Sequence, residues 1–271
     1  MKYCITYDKN FRHLQKVNEI ILPYHGERSR LPLIDMVKDA PAEQRFILSF
    51  EGIVNVIEEI EYVRAAMEVH DQICIRMEPD YILPEATAAL QENEIPFFVN
   101  KLVNSVDEFV YYLSLGVSDI YIVEELGFNL RNLKTISEGV QIRCFANVAQ
   151  SVVAGEKGIT SFFIRPEDVT HYEGFVDVIE FFGPIDRQSV LYEIYNSEEW
   201  NGKISDLIIG LNVNISNMLI NNFGHFRVGC NKKCNFGKCN LCKTRVELAE
   251  LLQRKVDELN DSRVDEETDN S

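Results

Sequence analysis

Near the carboxyl end of the chain stands GCNKKCNFGKCNLCKTR, residues 229–245. Cys230, Cys234, Cys239 and Cys242 follow one another there with the spacing C-x3-C-x4-C-x2-C. Four thiolates on one short loop can close a tetrahedral site around zinc or hold an iron–sulfur cluster. The Asn and Gly between them suit tight turns that aim sulfurs inward. Arg227, Lys232, Lys233, Lys238, Lys243 and Arg245 crowd around them, in a chain of formal net charge −16. Local positive charge lowers thiol pKa values and offsets the charge of a thiolate-rich centre. The spacing therefore predicts these four cysteines as ligands of a metal or a cluster. A wholly local ligand set leans towards structural zinc, with a 4Fe–4S cluster as the other occupant. The same basic stretch could meet RNA or an acidic protein partner.

A second group of candidates lies on the apolar runs. In ICIRMEP (73–79), Arg76 and Glu78 share one face, with Ile75 and Met77 opposite. In QIRCFAN (141–147), Arg143 and Asn147 share a face with Phe145, and in SFFIRP (161–166) Arg165 falls with Phe163. Glu180 stands near the end of VDVIEFF (176–182). Such runs need an apolar face for the helices, so the polar face points the other way. Arginines turned inward are costly unless paired or meeting an anion. Arg76, Arg143 and Arg165 are thus candidates to bind a small carboxylate or phosphate ligand through their forked donors. Glu78 and Glu180 would orient them or move protons. The competing reading is a set of structural Arg–Glu pairs that plug the interior.

These groups need a scaffold, and the pattern of elements supplies one. Nine short apolar runs, KYCITY, NEIILPY, RFILSF, ICIRMEP, IPFFVNK, DIYIVEE, QIRCFAN, TSFFIRP and VDVIEFF, alternate with amphipathic stretches. The helical patterns include 52–70, 84–94, 105–116 and 129–139. Near-continuous apolar strands separated by such helices indicate a parallel sheet covered on its faces. About eight right-handed βα units close into a (β/α)8 barrel, whose reactive groups sit at the carboxyl ends of its strands. A doubly wound open sheet is the alternative, but neither G-x-G-x-x-G nor a Walker A pattern occurs. Nine runs for eight places leave one over; NEIILPY and VDVIEFF are the first to be questioned. Strand-end polar residues Glu51, Asn100, Glu124 and Glu125 join the same prospective rim.

The domain reading places the barrel and a helical return in 1–222 and the four-cysteine loop in 223–246. A terminal helix follows at 247–258, and the acidic 259–271 forms a disordered tail. No H-E-x-x-H, G-x-S-x-G or EF-hand loop occurs, and the five histidines are scattered. The polar start MKYCITYDKN does not resemble a signal peptide, and no stretch approaches the roughly 20 apolar residues of a membrane span. A cytoplasmic protein is expected, with no membrane partner, in which Cys4, Cys74 and Cys144 act as small hydrophobes.

Taken in order, VSDIYIVEELG, IRCFANVAQSV, FFIRPEDVTHYEGFVDVIEF, EIYNSEEWNGKISDLI and CNKKCNFGKCNLC resemble the collagenase-like peptidase U32 family over about residues 90 to 245. The resemblance implies a barrel, a helical return and a cluster-binding cysteine set. It also implies oxygen-independent hydroxylation with an organic acid as oxygen donor; the peptidase label is the older one. Only Cys230, Cys234, Cys239 and Cys242 carry over, as ligands. The family's separated, Gly- and Cys-rich cluster signature does not occur in these residues.

Overall fold

The computed structural model describes residues 1–50, 55–122, 130–148, 162–197 and 200–207. Eight parallel strands close into a barrel: β1 (Lys2–Thr6), β2 (Glu19–Tyr24), β3 (Arg45–Phe50), β4 (Ile73–Met77), β5 (Phe97–Val103), β6 (Asp119–Ile122), β7 (Gln141–Phe145) and β10 (Val178–Glu180). Closure leaves no edge unpaired: β1 pairs with both β2 and β10. Helices α1 (Glu27–Val37), α2 (Val56–Val69), α3 (Pro84–Glu92), α4 (Val106–Ser114), α5 (Leu130–Ile136) and α6 (Ile185–Asn196) link or follow the strands. The expected (β/α)8 architecture is the one observed.

The helices begin where the sequence provides caps. Asn55 accepts from the Ile57 amide at the start of α2, and Ser105 accepts from the Glu108 amide at the start of α4. Glu108 reaches back to the Asn104 amide, and Asp107 and Glu108 together favour the positive end of the α4 dipole. Pro84 opens α3 at a position where its missing N–H costs nothing. Gly116, with φ of 69°, takes the left-handed conformation that ends α4.

Two departures from the sequence expectation matter. Both questioned runs, NEIILPY and VDVIEFF, contribute barrel strands, and TSFFIRP is the one left over. Its Phe162–Phe163 (β9) pairs antiparallel with Asn147–Val148 (β8) in a separate two-stranded ribbon. The place beside β7 is already taken, because β10 pairs there in register Val178↔Arg143 to Glu180↔Phe145. Asn147 locks that choice: its amide donates to the Phe182 carbonyl and its side-chain oxygen accepts from the Phe182 amide, both at 2.8 Å. The β1–β2 connection is the second departure. It carries one 3-10 turn, Leu14–Lys16, where a repeating βα unit would place an α-helix. Residues 8–16, DKNFRHLQK, have no apolar period with which to build one.

The core lies in two shells. Outward-facing Leu48 and Ile75, register partners on β3 and β4, are fully buried under the helices. Burial of such a side chain contributes about 1.5–3 kcal/mol. The inner shell sets charged and hydroxyl side chains among apolar ones such as Ile47, Phe98 and Phe145.

Candidate functional site

Register carries the polar residues round the inside of the barrel. Glu180 of β10 stands beside Cys4, Cys4 beside Glu19, and Glu19 beside Arg45. Ser49 of β3 stands beside Arg76, and Tyr121 of β6 beside Arg143. At the amino-terminal floor Arg45 grips Asp119 with two hydrogen bonds of 2.8 and 2.7 Å, and also donates to Ser118 and Gln141. Arg143, fully buried, fills the middle. Its Nη1 donates to Glu19 at 2.6 Å and to Asp119 at 2.8 Å, and its Nη2 reaches Glu180 at 3.3 Å. Burial opposes its charge, but Glu19, Tyr121 and Asp119 outweigh that and hold it protonated above its usual range.

The upper layer faces the carboxyl ends of the strands. Arg76 Nε and Nη2 donate to Ser49 Oγ at 3.1 and 2.9 Å. Its Nη1 donates to Glu180 at 3.1 Å and lies 3.4 Å from the Tyr121 hydroxyl. Tyr121 in turn donates to Glu180 at 2.5 Å and stacks on Phe145, with ring centroids 5.3 Å apart. Above them Glu78 accepts from the Asn100 amide at 2.8 Å. A register shift in β5 between Phe98 and Leu102 lifts Asn100 to that rim.

Charge decides what this arrangement can do. Arg45, Arg76 and Arg143 are matched by Glu19, Asp119 and Glu180, so the lumen is neutral in itself. Burial alone would raise the Asp119 carboxyl, but Arg45 and Arg143 hold it below the ordinary aspartate range. Burial pushes the Cys74 thiol up to about 12 and the Cys4 thiol well above its usual value. Both lumen cysteines therefore stay protonated and cannot act as thiolates.

Of the residues singled out from the sequence, Arg76, Arg143 and Glu180 meet in one network, with Glu78 on the rim above. Arg143 is enclosed by three carboxylates. Arg76 keeps 13% of its side chain exposed and is the lumen arginine nearest the mouth. Arg165 is not among them. It lies beyond β9, at the start of a 3-10 turn (Pro166–His171), and pairs with Asp168 at 2.6 Å. It went to that turn because its strand is not a barrel strand. Glu51, Glu124, Glu125, the four cysteines 230, 234, 239 and 242, the terminal helix and the tail lie outside the described residues. Among the described residues no group of three or more His, Cys, Asp or Glu could hold a metal, and no helix is long and apolar enough to cross a membrane.

Sequence reasoning passed over Glu19, Arg45, Ser49, Asp119 and Tyr121. A signal was present. In DIYI, Asp119 and Tyr121 alternate with Ile120 and Ile122, and in RFILSF, Arg45 and Ser49 fall on one face with Ile47.

The fold and its interior thus define a (β/α)8 barrel with a charge-balanced polar lumen. No protein-family model matches the chain. A curated protein from Methanocaldococcus jannaschii, named as an uncharacterized protease, is 29% identical over 129 residues, covering 45% of this chain and 37% of that protein. The chain therefore spans little more than a third of the length of that relative, whose name agrees with the U32 peptidase resemblance. A solved structure of a 4-hydroxy-2-oxoglutarate/2-dehydro-3-deoxyphosphogluconate aldolase is 12% identical, with a TM-score of 0.44. It covers 72% of this chain and 93% of its own.

Proposed function

We propose that this chain is a metal- or cluster-binding barrel enzyme that takes an anionic small molecule at the carboxyl-end mouth. The observation that carries the anion-binding part of the reading is Arg76 at the upper edge of the lumen, with one Nη2 hydrogen not taken by Ser49, Tyr121 or Glu180. All three lumen arginines pair with carboxylates, but Arg76 also faces the end where barrels of this class do their chemistry. Ser49 and Tyr121 fix its fork, so a carboxylate would meet a donor hydrogen already in place. Glu180, shared by Arg76, Arg143 and Tyr121, orients the guanidinium.

The cysteines supply the second part of the proposal. Cys230, Cys234, Cys239 and Cys242 are the donors for an iron–sulfur cluster, and the six nearby cations suit a thiolate-rich centre. When bound, such a cluster would supply one-electron chemistry, as an oxygen-independent hydroxylase of the U32 type requires. Structural zinc is the second reading, favoured by the contiguity of the four ligands; the barrel would then be a binding or accessory protein, with the basic loop facing RNA or a protein partner. A peptidase, suggested by the relative's name, gains nothing from the lumen, since Cys4 and Cys74 are held protonated.

Metal analysis of protein purified without oxygen separates the readings. Iron with acid-labile sulfide in equal amounts, lost on replacing the four cysteines by serine, is the expected result. Stoichiometric zinc without iron would establish the second reading. Protein that is folded and holds neither would overturn both.

A further inference from the structure

The mouth has an acceptor as well as a donor. Arg76 and Glu78 are two residues apart on one extended segment, so they share a face about 6–7 Å apart along the strand. Arg76 uses Nε, both Nη1 hydrogens and one Nη2 hydrogen on Ser49, Tyr121 and Glu180, which leaves one Nη2 hydrogen for a ligand. Glu78 uses Oε1 for Asn100, and no hydrogen bond reaches Oε2 among the described residues.

The charges point the same way. The six charged lumen side chains cancel formally, and among the described residues Glu78 adds a carboxylate at the rim. A multiply charged anion would meet one partly neutralised guanidinium and two carboxylates, Glu78 and Glu180. A ligand with one carboxylate and one ammonium gives each open group, the Arg76 Nη2 hydrogen and Glu78 Oε2, a partner of complementary charge. Across the barrel from β4, aromatic rings follow Tyr121 on β7 and past the end of β10. Phe145 stacks on Tyr121 and meets Phe182 edge-on at 5.9 Å, and Phe182 is 43% exposed.

We infer that the mouth recognises a small zwitterion, an amino acid or peptide terminus with an apolar side chain. Its carboxylate lies on Arg76, its ammonium on Glu78, and its side chain against Phe145 and Phe182. The inference rests on the reading of Arg76 as the anion-binding residue and adds the second charge that a ligand must carry.

Matched probes on the full chain test it by calorimetric titration. L-phenylalanine, 3-phenylpropanoate and 2-phenylethylammonium differ only in which charges they hold; L-leucine and 4-methylpentanoate form a second pair. At least one amino acid is expected to bind about tenfold or more tighter than its des-amino acid. In Glu78→Gln that preference should vanish while the des-amino acid binds as before. Equal affinity of acid and amino acid, tighter binding of the amine, or a preference that survives Glu78→Gln overturns the zwitterion inference and leaves the Arg76 reading standing. No saturable binding of any carboxylate overturns both.

Discussion

Arg143→Met will cost about 4 kcal/mol of folding free energy, within the range of roughly 3–5 kcal/mol for breaking a buried ion pair. Methionine fills most of the volume, so the cost is electrostatic. Asp119 would keep Arg45 at 2.7 Å, and Glu180 would keep Arg76 at 3.1 Å. Glu19 would be left with Arg45 alone, at 3.6 Å, and its carboxylate is fully buried. A domain stable by about 5–15 kcal/mol loses much of its margin in that way. Glu19→Gln in the same chain removes the stranded charge and is expected to restore a good part of the loss. Urea unfolding of the two single variants and the double variant measures the coupling. A loss under about 1 kcal/mol in Arg143→Met, or no recovery in the double variant, would show that the lumen ions are not held as a set.

Acid should unfold the protein through Asp119 of that network and through the separate Arg30–Glu59 pair between α1 and α2. In the folded chain Asp119 is held below the ordinary aspartate range by Arg45 and Arg143, and Glu59 is held low by the Arg30 guanidinium despite its burial. The unfolded chain binds protons near pH 4, the folded chain only lower. Stability from these groups is therefore complete above about pH 5 and is lost as the pH falls through and below 4. Relief of surface repulsion acts the other way: a chain of net charge −16 approaches neutrality near pH 4.8. That repulsion is long-range and screened, whereas the Asp119 contacts are buried at 2.7–2.8 Å, so below pH 4 the buried pairs decide. Unfolding midpoints in urea should hold or rise slightly from pH 7 to 5 and then fall steeply. Asp119→Asn should start lower by about 3 kcal/mol or more and show a shallower acid limb. An acid limb equally steep in that variant would remove Asp119 as its source.

The barrel was legible because its strands and helices have different periods. Apolar runs alternating with capped helices force a parallel, covered sheet, and alternation within ICIRM and QIRCF placed Arg76 and Arg143 correctly on the inner face. Two things stayed hidden. NEIILPY and TSFFIRP look alike as strings, and their fates depend on pairing partners far away in sequence, including the Asn147 clamp on Phe182. The identity of each arginine's partner was hidden for the same reason: Glu19, Asp119 and Glu180 come from three distant strands. Arg165 shows the cost, since it lies just past a ribbon strand outside the barrel and pairs with Asp168 instead of entering the lumen.

The most direct test asks whether Arg76, unlike Arg143, serves a ligand. Titrating 3-phenylpropanoate and L-phenylalanine into native protein and Arg76→Gln compares binding with the unfolding free energy of the same two proteins. Glu180 retains Arg143 and Tyr121 in that variant, so the fold should survive, with a loss of about 1–3 kcal/mol. Carboxylate affinity should fall about tenfold or more in the same variant. Unchanged affinity in a folded Arg76→Gln protein would contradict the account and make the lumen arginines structural throughout.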